Sequence, residues 1–485
     1  MKRNYLSYVI LFLLFAGIHL GQAQTLTLDE AIDRALKNNE LIKRQEERLI
    51  QKEHANLEAW GNFLPQVKVE AGYTHLNKPL EIDLNFLREG LLQLQTSDQV
   101  KMANLQSLIL NGRPLTDAEL ARVQQQAYLA LDAALPPFAL AFKDQDYKSA
   151  TLLGVQPLFL GGKLIAAKKF ASSELQASKQ ELYKTRNDVI QQVVKNYLAV
   201  VLMNEVVKTR QNVLQAMLRH QTQAQKLFAQ GLISKSDVLR ARVAVAEARR
   251  NLFDDQNNLE LAEIALRHSL ALDDQTPIVI NDSLVYKALN DSLETFLRLA
   301  REGQPVLKLL SFKEQSAAQK FAAERAEFLP QVAAFGKYEM YPEYLSILEP
   351  RWAVGLRLQI NLFNGFKDYN KLQEARHLKK EVHLLKTHTQ RQIDLWVQKA
   401  YRQMRNAETR YLQLASDIAL ARENLRSQQK RFEAGLGTSL DVIDANLILE
   451  KEQIARHQSL FDYYQSMVEL FAATGNSAKI KEIWK

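Results

Sequence analysis

From Gly162 to Gly231 the sequence has no internal glycine or proline, and the same is true from Gly365 to Gly435. Both stretches are rich in Leu, Ala, Gln, Lys, Glu and Arg, which favour helix throughout. At 1.5 Å per residue each uninterrupted helix would be roughly 100 Å long. Val189, Val193, Tyr197 and Val201 recur every four residues, flanked by Ile190, Val194 and Leu198, as one face of a helix requires. A second helical arm follows each terminal glycine, from Ser236 to about Leu272 and from Leu440 to about Thr474. The expectation is two helical hairpins, 163–272 and 367–474, with tips near 231–236 and 435–440. No globular core is wide enough to bury such hairpins, so they must pack as coiled coil against other hairpins.

The two turns repeat each other. "LFAQGLISKSDVLRA" (Leu227–Ala241) aligns with "RFEAGLGTSLDVIDA" (Arg431–Ala445), pairing Phe228 with Phe432, Gly231 with Gly435 and Asp237 with Asp441, each 204 residues on. "LFLGGK" at Leu158 and "LFNGFK" at Leu362 share that offset, whereas "FLPQV" recurs at Phe63 and Phe328, 265 residues on. With the larger offset "TLDEAIDRALKNN" (Thr27–Asn39) falls on "SLETFLRLAREGQ" (Ser292–Gln304). The offsets of 265 and 204 differ by 61, so the first half carries an insertion of that size. The expected organisation is a duplication: a first repeat over 24–275, a second over 276–475 and a short tail over 476–485. Within the insertion, about 77–143, "LNFLREGLLQL", "QSLILNG" and "DAELARVQQQAYLALDAAL" are expected to be helical.

Between the helical parts the pattern changes to period 2. "PRWAVGLRLQINLF" (Pro350–Phe363) places Trp352, Val354, Leu356, Leu358, Ile360 and Leu362 on one face, with Arg351, Arg357, Gln359 and Asn361 on the other. "QVKVEAGYTHL" (Gln66–Leu76) alternates likewise, and 151–160 and 331–341 do so more weakly. A soluble sandwich gives the same alternation. The first residues decide against it: Lys2 and Arg3, an apolar run from Tyr8 to about Leu20, and small residues around Gln22 read as a signal peptide over 1–23. No other stretch is apolar enough to span a bilayer as a helix, so membrane insertion must use strands. Four strands cannot close, and lipid does not tolerate an open sheet edge. Copies of the chain must therefore pool their strands, three copies giving twelve. The expected fold class is mainly α with a membrane β-barrel contribution.

Glycines 231 and 435 suit left-handed helix ends. Ser234 to Asp237 and Thr438 to Asp441 both read as capping boxes that start the return helix. The order of helix, "FLPQV", strand pair, long helix, F-x-x-G-L turn with its aspartate, and second helix, given twice over about Thr25 to Gly475, resembles the TolC family of outer-membrane channel proteins. The resemblance implies a homotrimeric channel-tunnel in the outer membrane with a large periplasmic part, free of catalytic residues, metals and cofactors. It would dock on a periplasmic adaptor (a membrane fusion protein) and an inner-membrane pump of RND or ABC type. By the same resemblance Asp441 and Asp444 would ring the pore constriction, the repeat partner of Asp444 being Arg240. Asp237, Ser234 and Thr438 would cap or gate the tips, and Gly231, Leu232, Gly435, Leu436 and Gly437 would meet the adaptor. The insertion would lie at the extracellular mouth as a cap or partial plug. The sequence departs from the family in one respect. Where members with a well-described closed state use a tyrosine and an arginine to latch the tips, this chain has Phe432 and Gly437, so its latch must differ, with Lys430 or Arg431 as candidates.

Other classes are poorly supported. There is no cysteine for a thiolate metal site or a disulfide, and His377, His383 and His388 are spaced six and five apart, off any one helix face. No phosphate loop or nucleophile elbow occurs. A net charge of +8 without a basic stripe speaks against nucleic acid. The remaining competitor is an exported periplasmic coiled-coil adaptor or scaffold without a pore, which would have no use for the alternating strands.

Overall fold

The computed structural model describes residues 25–273, 276–346 and 348–484; the expected signal peptide lies outside them. No helix among them is long and apolar enough to cross a membrane. The chain divides into two compact units, one helical (to residue 58, 166–321 and 370 onward) and one sheet-bearing (59–165 and 322–369).

The helical elements have matched lengths in the two halves. A short helix of 11 residues (α1, Leu28–Asn38; α7, Leu293–Gly303) leads into one of 22 (α2, Glu40–Gly61; α8, Pro305–Ala326). A helix of 67 residues (α5, Lys163–Ala229; α9, Lys367–Glu433) is answered by one of 35 (α6, Lys235–Ser269; α10, Ser439–Ala473). The Gly- and Pro-free stretches are thus unbroken helix from end to end.

The core of the helical unit is the stripe seen in the sequence. Val193, Tyr197 and Val201 of α5, Val397, Ala400 and Met404 of α9, and Tyr463, Met467 and Phe471 of α10 are all buried. Ile32 of α1 and Phe296 of α7 close the same cluster. The Tyr197 hydroxyl lies 2.7 Å from Asp282 Oδ2 and 3.0 Å from the Leu26 carbonyl, and burial together with Asp282 raises its pKa. Trp484 Nε1 donates to the same Asp282 oxygen over 2.9 Å, so the C-terminal tail straps onto this cluster.

In the sheet-bearing unit β1 (Gln66–His75), β4 (Asp146–Leu160), β5 (Gln331–Glu339) and β6 (Trp352–Gln359) form one antiparallel sheet in the order β1-β4-β5-β6. The register sets Val69 against Leu152, Leu152 against Tyr338, and Tyr338 against Trp352, a single cross-sheet row of large apolar side chains. Val67, Val354, Leu356 and Leu358 share that face, with Val354 at 74% exposure and Leu356 at 71%. Lys68, Glu70, Lys337 and Arg357 lie on the other face. Among the described residues β1 and β6 each pair on one side only, leaving two free edges.

Two strand bounds differ from expectation by four residues or more. β4 begins at Asp146 rather than 151, because Asp146 accepts a hydrogen bond from Tyr73 across the ladder and hides the polar start of the strand. β6 stops at Gln359, and Leu362 and Phe363 project from the turn that leads to α9. The insertion is a helical hairpin, α3 (Asn85–Asn111) and α4 (Asp117–Ala134), but its helical fragments before Gly112 are one continuous helix. A strand pair that the alternation does not announce, β2 (Leu80–Asp83) with β3 (Ala139–Lys143), closes its base. Arg88 holds the two helices together through the carbonyls of Asp132 and Leu135.

Candidate functional site

The two hairpin tips are built alike. Past Ala229 the chain turns left-handed at Gly231 (φ +74°), and past Glu433 at Gly435 (φ +71°). Leu232 N–H reaches back to the Leu227 carbonyl (3.0 Å) and Gly231 N–H to that of Phe228 (2.9 Å). In the second tip Leu436 bonds Arg431 (2.8 Å) and Gly435 bonds Phe432 (3.0 Å). These paired bonds satisfy the last carbonyls of α5 and α9, and only a residue at ease with positive φ permits them. Each return helix then opens on a capping box. Ser234 accepts from Asp237 N–H (3.3 Å), while its own N–H and hydroxyl go to the Asp237 carboxylate. Thr438 N–H and hydroxyl both lie 2.8 Å from Asp441 Oδ2. Those bonds hold the Asp441 carboxyl below its ordinary pKa, chiefly through the Thr438 backbone; the Ser234 hydroxyl does the same for Asp237.

The sequence-derived residues fall where the turns put them. Leu232 and Leu436 project outward, at 57% and 74% exposure, with Gly231 and Gly435 exposed beside them. Asp441 and Asp444 are both exposed, one helical turn apart on the first two turns of α10. Gly437 is not idle space. A Cβ there would stand 3.3 Å from both the Arg431 Cβ and the Phe432 backbone nitrogen, so any side chain would press on α9. Arg431 turns toward the Leu436 carbonyl of its own tip, 3.5 Å away, and Lys430 is exposed.

What joins the two hairpins near their tips is a small buried cluster that the sequence did not single out. Ala224 and Leu227 of α5, Val238 and Ala241 of α6, Phe432 of α9 and Val442 of α10 form it. Phe432 is 1% exposed and packs on the His220 ring, 4.8 Å between centroids. His220 is buried as well, and its Nε2 lies 2.8 Å from the Ser439 hydroxyl, itself fully buried. Burial pushes the His220 pKa below the ordinary histidine value. Ser439 N–H also faces the Asp237 carboxylate. One sequence signal could have pointed here. In the repeat alignment Ser439, the residue that meets His220, falls on Lys235.

Long paired helices and an open-edged sheet with an apolar face are the parts of an outer-membrane channel-tunnel. A family model described as outer membrane efflux protein matches residues 116–272 and 296–476, more than half of the chain, and the chain belongs to that family. Its place is accordingly the outer membrane. The fold is shared with the outer membrane protein VceC from Vibrio cholerae, with a TM-score of 0.71 at 18% identity, covering 93% of this chain and 96% of that one. Among curated proteins it resembles Protein CyaE of Bordetella pertussis, 26% identical over 294 residues, which is 59% of this chain. The match spans 62% of the length of CyaE, less than two thirds of it. It also resembles the alkaline protease secretion protein AprF of Pseudomonas aeruginosa, 22% identical over 339 residues, covering 68% of this chain and 70% of AprF.

Proposed function

We propose that the chain is a duplicated unit, three copies of which form the exit duct of a tripartite efflux or type I secretion system. The observation that carries this reading is the four-stranded sheet with one apolar face and two free edges. Such a sheet is costly in lipid until its edges are paired, and pairing β1 of one copy with β6 of the next closes a ring without any further element. Three copies give twelve strands, with Lys68, Glu70, Lys337 and Arg357 turned to a water-filled lumen. The hairpin tips are the docking end for a periplasmic adaptor, and Asp441 with Asp444 the narrowest ring. The name of AprF, a secretion protein, and the efflux name of the family fit the same geometry; the pump would choose the cargo. The insertion between β1 and β4 would cap the outer mouth.

The test is electrophoresis of outer-membrane fractions with and without heating, joined to conductance in planar bilayers. Heat-labile trimers that conduct are expected. A species that conducts as a monomer would overturn the three-copy assembly, and a protein found only in the soluble periplasm would overturn the channel in favour of a pore-free scaffold.

A further inference from the structure

We propose that the His220–Ser439 contact is an acid-released joint between the two hairpins, and that protonating His220 frees the start of α10. At this depth Ser439 is the polar contact of the second hairpin with the first, its hydroxyl against His220 and its N–H toward Asp237, beside an apolar cluster. His220 comes from α5; α6 contributes Val238, Ala241 and Asp237, α9 the Phe432 ring, and α10 Val442 and Ser439. Asp237 is the charged group facing the imidazole, and it favours the cation; burial disfavours the cation more strongly. On α10 the Asp441 carboxylate is turned to Thr438 and does not compensate.

The direction of the effect follows. A histidine whose folded pKa is depressed contributes its full stability above the ordinary value of 6.5, and loses it as pH falls below that value. The hydrogen bond is not what fails, since a protonated Nε2 can still donate to the serine oxygen. The cost is a cation buried against the Phe432 ring, and the imidazole relieves it by moving to water. Ser439 is the first residue of α10, and the helix it starts carries Asp441 and Asp444. Release of the joint therefore loosens the segment that bears the proposed constriction, a consequence that rests on the function proposed above.

The absence of cysteine makes a direct test clean. Spin labels placed through Leu232→Cys and Leu436→Cys report the separation of the exposed tips by pulsed electron resonance in purified, detergent-solubilised protein. Between pH 7.5 and roughly pH 5 the inter-tip distribution should broaden and move outward in the parent, and stay fixed in His220→Gln, whose amide hydrogen-bonds but does not titrate. An unchanged distribution in the parent, or the same movement in His220→Gln, would sink the joint. Conductance recorded over the same range separates the two proposals. A distance change without a rise in conductance keeps the joint and counts against the constriction on α10.

Discussion

Arg210 of α5 stands between two carboxylates, its Nη1 2.5 Å from Glu450 Oε1 on α10 and its Nε 2.7 Å from Asp255 Oδ2 on α6. The guanidinium thus ties the two arms of the first hairpin to the second. Glu450 is 4% exposed, so its charge cannot fall back on water if Arg210 is removed.

Arg210→Ala should therefore cost on the order of 3–5 kcal/mol, mostly the penalty of an unpaired buried Glu450. The double variant Arg210→Met with Glu450→Gln should recover part of that loss, because the Glu450 charge is gone and the Asp255 carboxylate that remains keeps its bond from Asn258. Thermal unfolding of the solubilised protein followed by circular dichroism reads both. Equal losses in the single and double variants would mean that side-chain packing, rather than charge, holds this layer.

Leu232 and Leu436 should serve the adaptor and not the fold. Each is more than half exposed, and the backbone bonds that make the turns do not involve their side chains. Leu232→Asp and Leu436→Asp are expected to leave the trimer intact and its stability unchanged within roughly 0.5 kcal/mol per chain, as for surface substitutions, while abolishing transport in cells. Trimers lost from the outer membrane in these variants would reassign the leucines to folding.

The long helices, the four strands and the two caps were legible in the sequence because each is a local signal. Helix formers ran on until Gly231 and Gly435, and the Ser234–Asp237 and Thr438–Asp441 boxes lie within one turn. The joint at the tips was not legible, because His220 and Ser439 are 219 residues apart and neither has a pattern of its own. Phe432 shows the limit well. Set against a tyrosine in related chains it reads as a lost latch, yet its ring is a fully buried contact between hairpins, tilted against a histidine no periodicity selects. Likewise β2 and β3 are four and five residues long and mutually paired, too short for alternation to distinguish them from loop.

The apolar sheet face should behave as a lipid face. Leu356→Arg puts a charge amid Trp352, Val354 and Leu358 and should cost about 2–4 kcal/mol if that site is near the bilayer midplane. Lys337→Gln, on the opposite face, should cost little and alter ion conductance instead. The yield of heat-labile trimer in outer-membrane fractions measures the first, and bilayer conductance the second. Should Leu356→Arg assemble as well as the parent, the apolar face would be turned away from lipid.

Asp441 and Asp444 lie three residues apart on α10, so their side chains are within roughly 60° of each other about the helix axis. Both are exposed within the single chain. Three copies brought round one axis would set six carboxylates there, and a cation would relieve their mutual repulsion. Selectivity for cations and block by trivalent ions are the expected consequences. The two positions should not contribute equally. The Asp441 carboxylate is already engaged by the Thr438 N–H and hydroxyl, which keep it ionised but hold it at the helix start. Asp444 makes no such bond among the described residues and is free to face the axis. Asp444→Ala should thus reduce trivalent block and cation preference more than Asp441→Ala. The latter should also lower stability slightly through the loss of half of the capping box. Single-channel recordings of both variants against the parent decide the matter. If both kept the parent's selectivity and its sensitivity to trivalent cations, Asp441 would be a cap alone and the narrowest ring would lie elsewhere along the duct.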